Sequence, residues 1–274
     1  MDRLLNYTIA LILIYIFALW APASIHGVMI IGVIASLLFC SLAFIFGWLT
    51  LDGAAAAIVV GTTAFGFGGW PTAAVVIFFF LSSTLISVPD KVESNATKSL
   101  NDSRRDGLQV WANGFWLVIW LLAGILTNLF VCWVAAITVI ATATADTWAT
   151  ELGSRRFKTS TYLATTFRKV PAGTEGGVSW PGVTASLFGS LFIGLIAAYG
   201  FSMSLPWVIC VTAAGLIGSL LDSVLGATFQ DEPRMLKLPG FKDQKNIPID
   251  NNLVNWMSTG LGSLTILILN QVFI

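Results

Sequence analysis

Long apolar runs alternate with short polar segments along the whole chain. Runs of about 20 apolar residues, the length that an α-helix needs to cross a bilayer, recur from the N-terminal region to the last residues. The pattern predicts membrane-spanning helices at residues 4–21, 27–47, 51–69, 71–88, 111–127, 129–149, 181–200, 206–227 and 252–273. It indicates an all-α fold, a polytopic integral membrane helical bundle of about seven to nine transmembrane helices in the lipid bilayer.

The third of these segments gives the weakest signal. Residues 51–69 are rich in Gly and Ala, so this segment is expected to be short, re-entrant or packed deep in the bundle, where small residues let helices approach closely. We expect one transmembrane domain over residues 1–274, with N-terminal spans in 1–89 and the polar motifs and loops in 90–274.

Composition supports the assignment to membrane proteins, and the positions of the basic residues predict which loops face the cytoplasm. The 274 residues are 56% hydrophobic and 10% charged, whereas soluble domains carry about a quarter charged residues. The formal net charge is zero, but every Lys and Arg except Arg3 lies in one of three windows, 91–105, 155–169 and 234–245. Basic loops are retained in the cytoplasm, so all three windows are predicted to face it.

The spacing of the basic windows predicts the path of the second half of the chain. Two spans separate the first window from the second, and two more separate the second from the third, so each pair forms a hairpin that returns to the cytoplasmic side. The last span then places the C-terminus on the opposite side. The N-terminus is cytoplasmic if four spans precede the first window and not if three do, and the sequence leaves this open.

The residue distribution excludes several kinds of site. The basic residues form no stripe interleaved with aromatic residues, so nucleic acid is not expected as a partner. His26 is the only histidine, and the three cysteines lie inside apolar runs without disulfide or metal-ligand spacing, which argues against a His-based catalyst and a zinc site. Nothing in the sequence fixes the oligomeric state, and a homodimer is compatible with it.

Two acidic residues lie inside predicted spans. Asp146 is flanked by threonines four positions before and after it. Asp222 is flanked by glycines at the same spacing, which we expect to leave open volume beside its carboxylate. An ionised Asp in a span costs roughly 2.5–3.5 kcal/mol on insertion scales, so both are candidates for function. Solvation from the cytoplasmic side would explain one such residue, but two of them, with Glu151 close by, favour a shared site.

A divalent cation would bring acids from different helices together. Mg²⁺ takes oxygen ligands, commonly one or two carboxylates and then substrate phosphates. The sequence therefore predicts a Mg²⁺ site held by Asp146, Glu151 and Asp222 near the cytoplasmic end of the bundle.

The second basic window has the features of a phosphate-binding loop. The stretch RKVPAGTEGGVSWPG, residues 168–182, places two cations ahead of a glycine-rich turn that leads into the next predicted helix. Successive backbone N–H groups in such a turn, together with a helix N-terminus, favour a phosphate. The predicted nucleotide- and phosphate-binding residues are Arg168, Lys169, Gly173, Thr174, Glu175, Gly176 and Gly177.

The two predicted hairpins resemble each other. Each begins at a polar motif, QVWANG or GTEGGVS, and the second helix of each ends near an acid, Asp146 or Asp222. Such a pattern is typical of a degenerate internal repeat, of the kind found in transporters.

Amide side chains cluster at the start of two predicted spans. Gln109 and Asn113 are four residues apart at the start of one span, and the stretch DNNLVN, residues 250–255, opens the last. Helix capping explains one such residue at each place, but not four polar residues within DNNLVN. These amides are therefore expected to face the same cavity as the acids.

Five motifs, in order along the chain, carry a family resemblance. They are RRDGLQVWANG, ATADTWATELG, VPAGTEGGVS, GSLLDSVLGATFQ and DNNLVNW, between residues 104 and 256. Together they closely resemble the membrane family called domain of unknown function 92, which includes the transmembrane protein 19 group and the phytyl-phosphate kinases of tocopherol and phylloquinone salvage. The hydrophobic pattern extends the resemblance over nearly the whole chain.

The resemblance implies an activity. It implies transfer of the terminal phosphate of a nucleotide, CTP or another nucleoside triphosphate, to an isoprenoid monophosphate of the phytyl or geranylgeranyl type, which yields the diphosphate. The residues are consistent with this chemistry. The acceptor phosphate is anionic at pH 7 and needs no strong general base, while a metal, cations and backbone amides can supply charge neutralisation.

The family pattern falls on individual residues of this chain. They are Arg105, Gln109, Asn113, Asp146, Glu151, Gly173, Thr174, Gly176, Gly177, Asp222, Asn251, Asn252 and Asn255. One departure is Glu175, where relatives often have Asp or Asn, and the exchange keeps a polar side chain.

The motifs are expected to have separate roles in catalysis, nucleotide binding and lipid-phosphate binding. The catalytic residues are predicted to be Asp146, Asp222, Glu151 and Arg105. The glycine-rich loop is predicted to hold the nucleotide phosphates. Arg105 and the amides lie at the mouths of spans between which a lipid tail could enter, so they are predicted to grip the lipid phosphate. The predicted lipid-phosphate-binding amides are Gln109, Asn113, Asn251, Asn252 and Asn255.

Two other activities fit the same residues. A transporter for a lipid phosphate or an ion also carries intramembrane acids, but such acids lie near the midplane, whereas Asp146 is only nine residues before Arg155. A CTP-dependent cytidylyltransferase would use the same metal and phosphate groups and release pyrophosphate, so its products, rather than its sequence, distinguish it.

Overall fold

The structure is a computed structural model that describes residues 3–20, 23–87, 104–153, 159–230, 235–236 and 247–273. The helices in these ranges are α1 (Arg3–Trp20), α2 (His26–Ile45, after a 3-10 turn at Ala23–Ile25), α3 (Leu51–Ile86), α4 (Gly107–Thr127), α5 (Phe130–Leu152), α6 (Trp180–Phe201), α7 (Leu205–Phe229) and α8 (Asn251–Phe273). Seven helical segments in this part of the chain, Ala23–Ile45 and α3 to α8, have the length and hydropathy of a membrane span. The predicted fold class, a polytopic helical membrane bundle, is confirmed.

Helix α3 is bent into two antiparallel arms. At Gly69 the backbone leaves the helical conformation (φ 69°, ψ −174°), a region that glycine alone adopts readily, and Pro71 follows, which has no N–H to continue the hydrogen bonds of the first arm. Both ends of α3 lie beside Arg105. Its carbonyl accepts a hydrogen bond from the Thr50 N–H (3.0 Å), and its Nη1 lies 3.3 Å from Thr84 Oγ1. The two arms match the separate spans predicted at 51–69 and 71–88.

The bend in α3 lies at the opposite side of the bundle. Trp133, near the start of α5, donates from Nε1 to the carbonyl of Phe67 (3.0 Å), and Gly200, near the end of α6, packs against Pro71. Many small residues of the first arm are buried, among them Ala54, Ala56 and Ala64. Of the three alternatives for the Gly- and Ala-rich segment, deep packing in the bundle is therefore the one observed.

One side of the bundle, which we call the basic-loop face, carries the helix ends that border the basic windows. Helix α3 begins and ends there, α4, α6 and α8 begin there, and α5 and α7 end there. Near the start of α1, Tyr7 lines a recess with Cys40, Phe44 and Leu51, so α1 also begins at this face. Four helical passages therefore precede the first basic window, counting the two arms of α3. The start of α1 therefore lies on the same side as the helix ends that border the three windows.

Helix α5 is the centre of the bundle. It packs against α3, α4, α6, α7 and α8, and it is the most buried of the seven candidate spans in the described part of the chain. An unbroken run from Val134 to Ala145 is buried. Two threonines in this run keep their hydroxyls bonded within the helix, since Thr138 donates to the Val134 carbonyl (2.9 Å) and Thr144 to the Ile140 carbonyl (2.7 Å). In an apolar setting such internal bonds satisfy polar groups that have no water to reach.

Short strands occupy the segment between α5 and α6. β1 (Thr161–Leu163) pairs antiparallel with both β2 (Lys169–Val170) and β3 (Gly177–Val178) in a sheet of order β2-β1-β3. A second antiparallel pair, β4 (Met235–Leu236) and β5 (Ile247–Pro248), precedes α8. These strands were not predicted, because two or three residues are too few to show an alternating pattern.

Candidate functional site at the basic-loop face

Asp146 and Asp222 meet inside the bundle. Each lies about two turns before the end of its helix, α5 or α7, and their side chains are hydrogen-bonded to each other. Asp222 is 8% exposed, and Asp146 is half-buried. The two acids occupy equivalent positions in the hairpins α4–α5 and α6–α7, as the proposed repeat requires. The structure therefore brings together the two acids that the sequence singled out.

The three helices around the acids cross closely one turn deeper in the membrane. A Cβ at Gly218 of α7 or at Gly262 of α8 would collide with the Oγ1 of Thr142 of α5. The expectation that the glycines leave open volume beside Asp222 is wrong. Gly218 lies against Thr142, and Gly226 packs on the backbone of Gly176. These glycines allow close helix approach, which is what places the two carboxylates together.

Helix α8 supplies a side chain to the acids that the sequence analysis missed. Ser258, 1% exposed, donates from its hydroxyl to Asp222 Oδ2 at 2.7 Å. One turn nearer the basic-loop face, Asn255 has its Oδ1 buried without a hydrogen-bond partner in the described part of the chain. The signal in the sequence was the spacing of Asn255 and Ser258, which places them on one side of a helix.

The glycine-rich turn between β2 and β3 closes over the acids from the basic-loop face. The charge of Glu175, at its tip, acts on both Asp146 and Asp222. Gly176 adopts φ 70° and lies so close to Ala227 that any Cβ would overlap the backbone of α7. The turn is thereby held against the end of α7.

The same turn is hydrogen-bonded to itself at two of its N–H groups. Thr174 N donates to the Pro171 carbonyl (3.3 Å), and Gly177 N donates to the Thr174 carbonyl (2.9 Å). Gly173 is exposed with φ 87°, and its Cβ position is open. Arg168 and Lys169 are exposed beside the turn. The phosphate-binding role of this loop stays a prediction.

Arg105 lies between the arms of α3 and the start of α4. Its guanidinium is 5.1 Å from the ring centre of Phe80 and 5.8 Å from that of Phe79. Burial lowers the pKa of Arg105 to about 10, while the charge of Glu151 opposes the shift. The Arg105 side chain thus remains cationic at neutral pH, and its acidic neighbour is Glu151.

The remaining predicted amides lie at two helix starts. Asp106 caps α4 by accepting from Gln109 N (2.9 Å), and Asn113 Nδ2 donates to the Gln109 carbonyl (3.0 Å). Asp250 caps α8 in the same way, accepting from Leu253 N (3.0 Å). Gln109 and Asn251 are exposed, whereas Asn113 and Asn252 are half-buried. Both helix starts lie at the basic-loop face, and of these amide positions only Asn255 is tied by a hydrogen bond to a residue that contacts an acid.

The donor set suits a hard cation. Among the described residues no group of three or more His, Cys, Asp or Glu side chains has the arrangement of a complete metal site. Two adjacent carboxylates and one unpaired amide oxygen are nevertheless oxygen donors, and Mg²⁺ typically binds one or two carboxylates and takes its other ligands from water and phosphate. The residues therefore fit Mg²⁺ with an incomplete protein shell.

The comparisons with known proteins agree with this architecture. The model of the integral membrane protein family DUF92 matches residues 9–263, and the chain belongs to that family. The protein VTE6, chloroplastic, of Arabidopsis thaliana is 29% identical over 81% of this chain and 66% of its own length, just under two thirds. Protein PGR of the same plant is 31% identical over 78% of this chain and 86% of its own length.

An archaeal relative extends this comparison. An uncharacterized membrane protein of Methanocaldococcus jannaschii is 32% identical over 65% of this chain and 74% of its own length. No solved structure matches the chain significantly. The chain is therefore an integral, multi-pass membrane protein of the DUF92 family.

Proposed function

We propose that the protein is a CTP-dependent kinase that converts an isoprenoid monophosphate, of the phytyl or geranylgeranyl type, to the diphosphate. The proposal combines the site at Asp146 and Asp222 with the likeness of the five motifs to the phytyl-phosphate kinases. The basic-loop face is proposed to be the cytoplasmic one, because all three basic windows border it. CTP would then reach the site from the cytoplasm and the isoprenoid from the bilayer.

The depth of the acid pair is the observation that carries the proposal. Each acid lies about two turns, or about 10 Å along the helix, from the end of its helix at the basic-loop face. That is the depth at which the phosphate of a membrane-embedded isoprenoid can meet a water-soluble nucleotide. Transporters place such acids near the bilayer midplane, so the depth favours a phosphotransferase.

The proposed reaction joins two phosphates. An oxygen of the acceptor monophosphate forms a bond to the γ-phosphorus of CTP, while the bond from that phosphorus to the bridging oxygen breaks and CDP leaves. The attacking oxygen is already anionic, so the protein is required to align two anions and to offset their repulsion rather than to remove a proton.

The chain's own residues divide this task. Arg168 and Lys169 offer two exposed cations beside the turn for the nucleotide phosphates, joined by the turn's Gly173, Thr174, Gly176 and Gly177. Arg105 lies between the arms of α3 and the start of α4, and it is proposed to attract the acceptor phosphate. Gln109, Asn113, Asn251 and Asn252 would donate hydrogen bonds there. Glu175 closes the turn over the acids.

A bound Mg²⁺ is proposed to be held by Asp146 and Asp222, with Glu151 acting through the water shell. Such an ion supplies neutralisation of phosphate charge. The carboxylates fix where that charge is neutralised, since both are held by packing between α5, α7 and α8.

A labelling assay tests this function. The purified protein, in detergent or nanodiscs with MgCl₂, is given CTP labelled with ³²P at the γ-phosphate and phytyl, geranylgeranyl or farnesyl monophosphate. Transfer of label to the lipid with formation of CDP is expected. Labelled pyrophosphate and an unlabelled cytidylyl lipid would identify a cytidylyltransferase instead. No product with CTP or with ATP would contradict the proposal and leave transport as the alternative.

A further inference from the structure

Ser258 is held by a single strong interaction with the acid pair. Its hydroxyl has one proton to donate and two acceptors within reach, Asp222 Oδ2 at 2.7 Å and the Asn255 carbonyl at 3.2 Å. Asp222 is the stronger acceptor because it is closer and is a carboxylate. Serine and threonine hydroxyls elsewhere in the bundle, such as those of Thr138 and Thr212, donate to their own helix. Ser258 instead binds a neighbouring helix and fixes one oxygen of Asp222.

Asn255 presents a buried oxygen that the protein leaves unpaired. Its Oδ1 has no hydrogen-bond partner in the described part of the chain, and it is shielded from solvent. A buried acceptor without a partner is unfavourable, so such a group is expected to have one in the working protein. An acceptor oxygen repels the oxygens of a phosphate, whereas it suits a cation. Its chemistry therefore differs from the phosphate-binding role expected from the sequence.

The two residues extend a layered arrangement of three helices. The deepest layer consists of Thr142, Gly218 and Gly262, which pack against one another. One turn nearer the basic-loop face, α5 and α7 contribute the acid pair, and α8, which runs in the opposite direction along this axis, contributes Ser258. Asn255 lies one turn before Ser258 in α8 and is therefore nearer the basic-loop face, the side from which the turn at Glu175 closes over the acids.

We propose that α8 completes the cation site: Asn255 Oδ1 is a neutral oxygen ligand, and Ser258 is the positioning residue that orients Asp222. The inference rests on the cation site of the proposed function. It assigns the third protein ligand to α8 rather than to Glu151, whose charge lies beside Arg105. The ligand set then contains three oxygens from three helices, and substrate phosphate and water fill the remaining positions of the octahedron that Mg²⁺ requires.

Direct Mn²⁺ binding tests the inference without turnover. The free Mn²⁺ signal is measured by electron paramagnetic resonance during titration of purified, detergent-solubilised protein without lipid substrate, in the absence and presence of CDP. Asn255→Ala is expected to raise the Mn²⁺ Kd about tenfold or more, and Asn255→Asp to retain or tighten binding. Ser258→Ala is expected to raise the Kd by about 10–100-fold, as for residues that orient a ligand, with recovery in Ser258→Thr.

Thermal unfolding separates a ligand from a structural residue. In EDTA, Asn255→Ala should unfold at the same temperature as the wild type or higher, because it removes an unpaired buried oxygen, and it should lose the stabilisation that Mn²⁺ gives the wild type. A residue with only a packing role would lower the unfolding temperature in EDTA. Asn270→Ala and Thr265→Ala remove an amide and a hydroxyl farther along α8 and should match the wild type in both measurements.

The outcomes distinguish failure of the α8 ligand assignment from failure of the proposed cation site itself. Mn²⁺ binding that depends on Asp146 and Asp222 but is unchanged in Asn255→Ala and Ser258→Ala would overturn the inference and leave the cation site standing. Wild-type protein that binds no Mn²⁺, with or without CDP, would overturn both. If Asn255→Ala is recovered in too small an amount to titrate, Asn255→Asp decides, since loss of binding on adding a carboxylate contradicts a ligand role.

Discussion

Asp146 and Asp222 are the side chains whose chemistry can be tested most directly. In Asp146→Asn or Asp222→Asn the amide keeps the shape of the side chain and can still donate a hydrogen bond to the remaining acid, so the fold should persist. Phosphate transfer should fall by at least about 100-fold, since a charged group at the reacting centre is removed. Turnover is measured with the labelled CTP assay, and folding by size-exclusion chromatography and tryptophan fluorescence.

A matched exchange of the same type controls this prediction. Asp250 caps α8 through its carboxylate, and Asn is an equally good N-cap, so Asp250→Asn should retain wild-type turnover and stability. Wild-type activity in either Asp146→Asn or Asp222→Asn would contradict the assignment of the site.

Arg105 is expected to affect both stability and use of the lipid phosphate. Its guanidinium contacts Phe80 and Thr84 of the second arm of α3, and its charge faces Glu151. Arg105→Ala should lower the free energy of unfolding by about 2–3 kcal/mol, the range for a charged hydrogen bond with a cation–π contact. It should also raise the KM for the lipid phosphate more than the KM for CTP.

The conservative variant separates these two effects. Arg105→Lys keeps the charge but not the planar stacking, so it should recover most of the lipid KM and less of the stability. An Arg105→Ala protein with unchanged lipid KM and a raised CTP KM would show that the acceptor and nucleotide halves of the site are reversed.

The acids could be predicted from the sequence, whereas the spacing of Ser258 from Asn255 was too weak a signal to predict its contact with Asp222. A carboxylate within an apolar run is rare enough to be noticed by itself. A serine in such a run usually donates to its own backbone, as Ser190 donates to the Ser186 carbonyl (3.0 Å). Only the meeting of α7 and α8 in space gives Ser258 another acceptor, and the sequence does not specify which helices meet.

The crossing of α5, α7 and α8 depends on glycine at the contact. Gly218→Ala would place a Cβ on the Oγ1 of Thr142, so it should destabilise the fold by about 1–3 kcal/mol and separate the two acids. Thr142→Ala removes the obstructing atoms, and its hydroxyl has no hydrogen-bond partner among the described residues. The double variant Gly218→Ala, Thr142→Ala should therefore recover most of the lost stability and turnover. Equal loss in the single and double variants would show that the two residues are not coupled.

The turn over the acids contacts α7 through Gly176, whereas the Cβ position of Gly173 faces open space. Gly176→Ala should disrupt the contact with the backbone of Ala227 as well as strain a positive φ, and it should chiefly raise the CTP KM or remove activity. Gly173→Ala has only the strain of a positive φ, about 1–2 kcal/mol, because its Cβ position is open. Gly176→Ala should be the more damaging in a nucleotide titration, and the reverse order would contradict the placement of the turn against α7.

The arrangement of the spans could be predicted largely from hydropathy, and the packing between them only in part. The two arms of α3 were resolved as separate spans because Gly69 and Pro71 interrupt the apolar run. The sequence does not determine the side of the N-terminus, since its composition does not distinguish the 51–69 segment from a re-entrant one. The small sheet between α5 and α6 was not predicted because its strands have only two or three residues each, and because the contact of Gly176 with α7 that holds it in place is long-range.

The topology of the whole molecule follows from the paired helix ends and can be measured. Residues 100 and 240 lie outside the described residues, each in a sequence segment that joins two helices whose adjoining ends are at the basic-loop face, and Leu4 lies near the start of α1 on the same side. Leu129, between α4 and α5, and Leu205, the first residue of α7, are exposed and lie on the other side. Single cysteines at these positions are introduced after the three native cysteines, all buried, are replaced by alanine.

Labelling by a membrane-impermeant maleimide in intact cells should then divide the positions into two groups. Leu129→Cys and Leu205→Cys should react from outside, whereas Leu4→Cys, Leu100→Cys and Gly240→Cys should react only after the membrane is opened. Positions 4, 100 and 240 share one side only if an even number of helices crosses the membrane between them. The bend at Gly69 makes that number four before the first window, and each hairpin, α4–α5 and α6–α7, adds two. Protection of positions 100 and 240 with external labelling at position 4 would show that α1 or one arm of α3 does not cross the bilayer. Opposite labelling of positions 100 and 240 would contradict the hairpins that bring Asp146 and Asp222 to one end of the bundle.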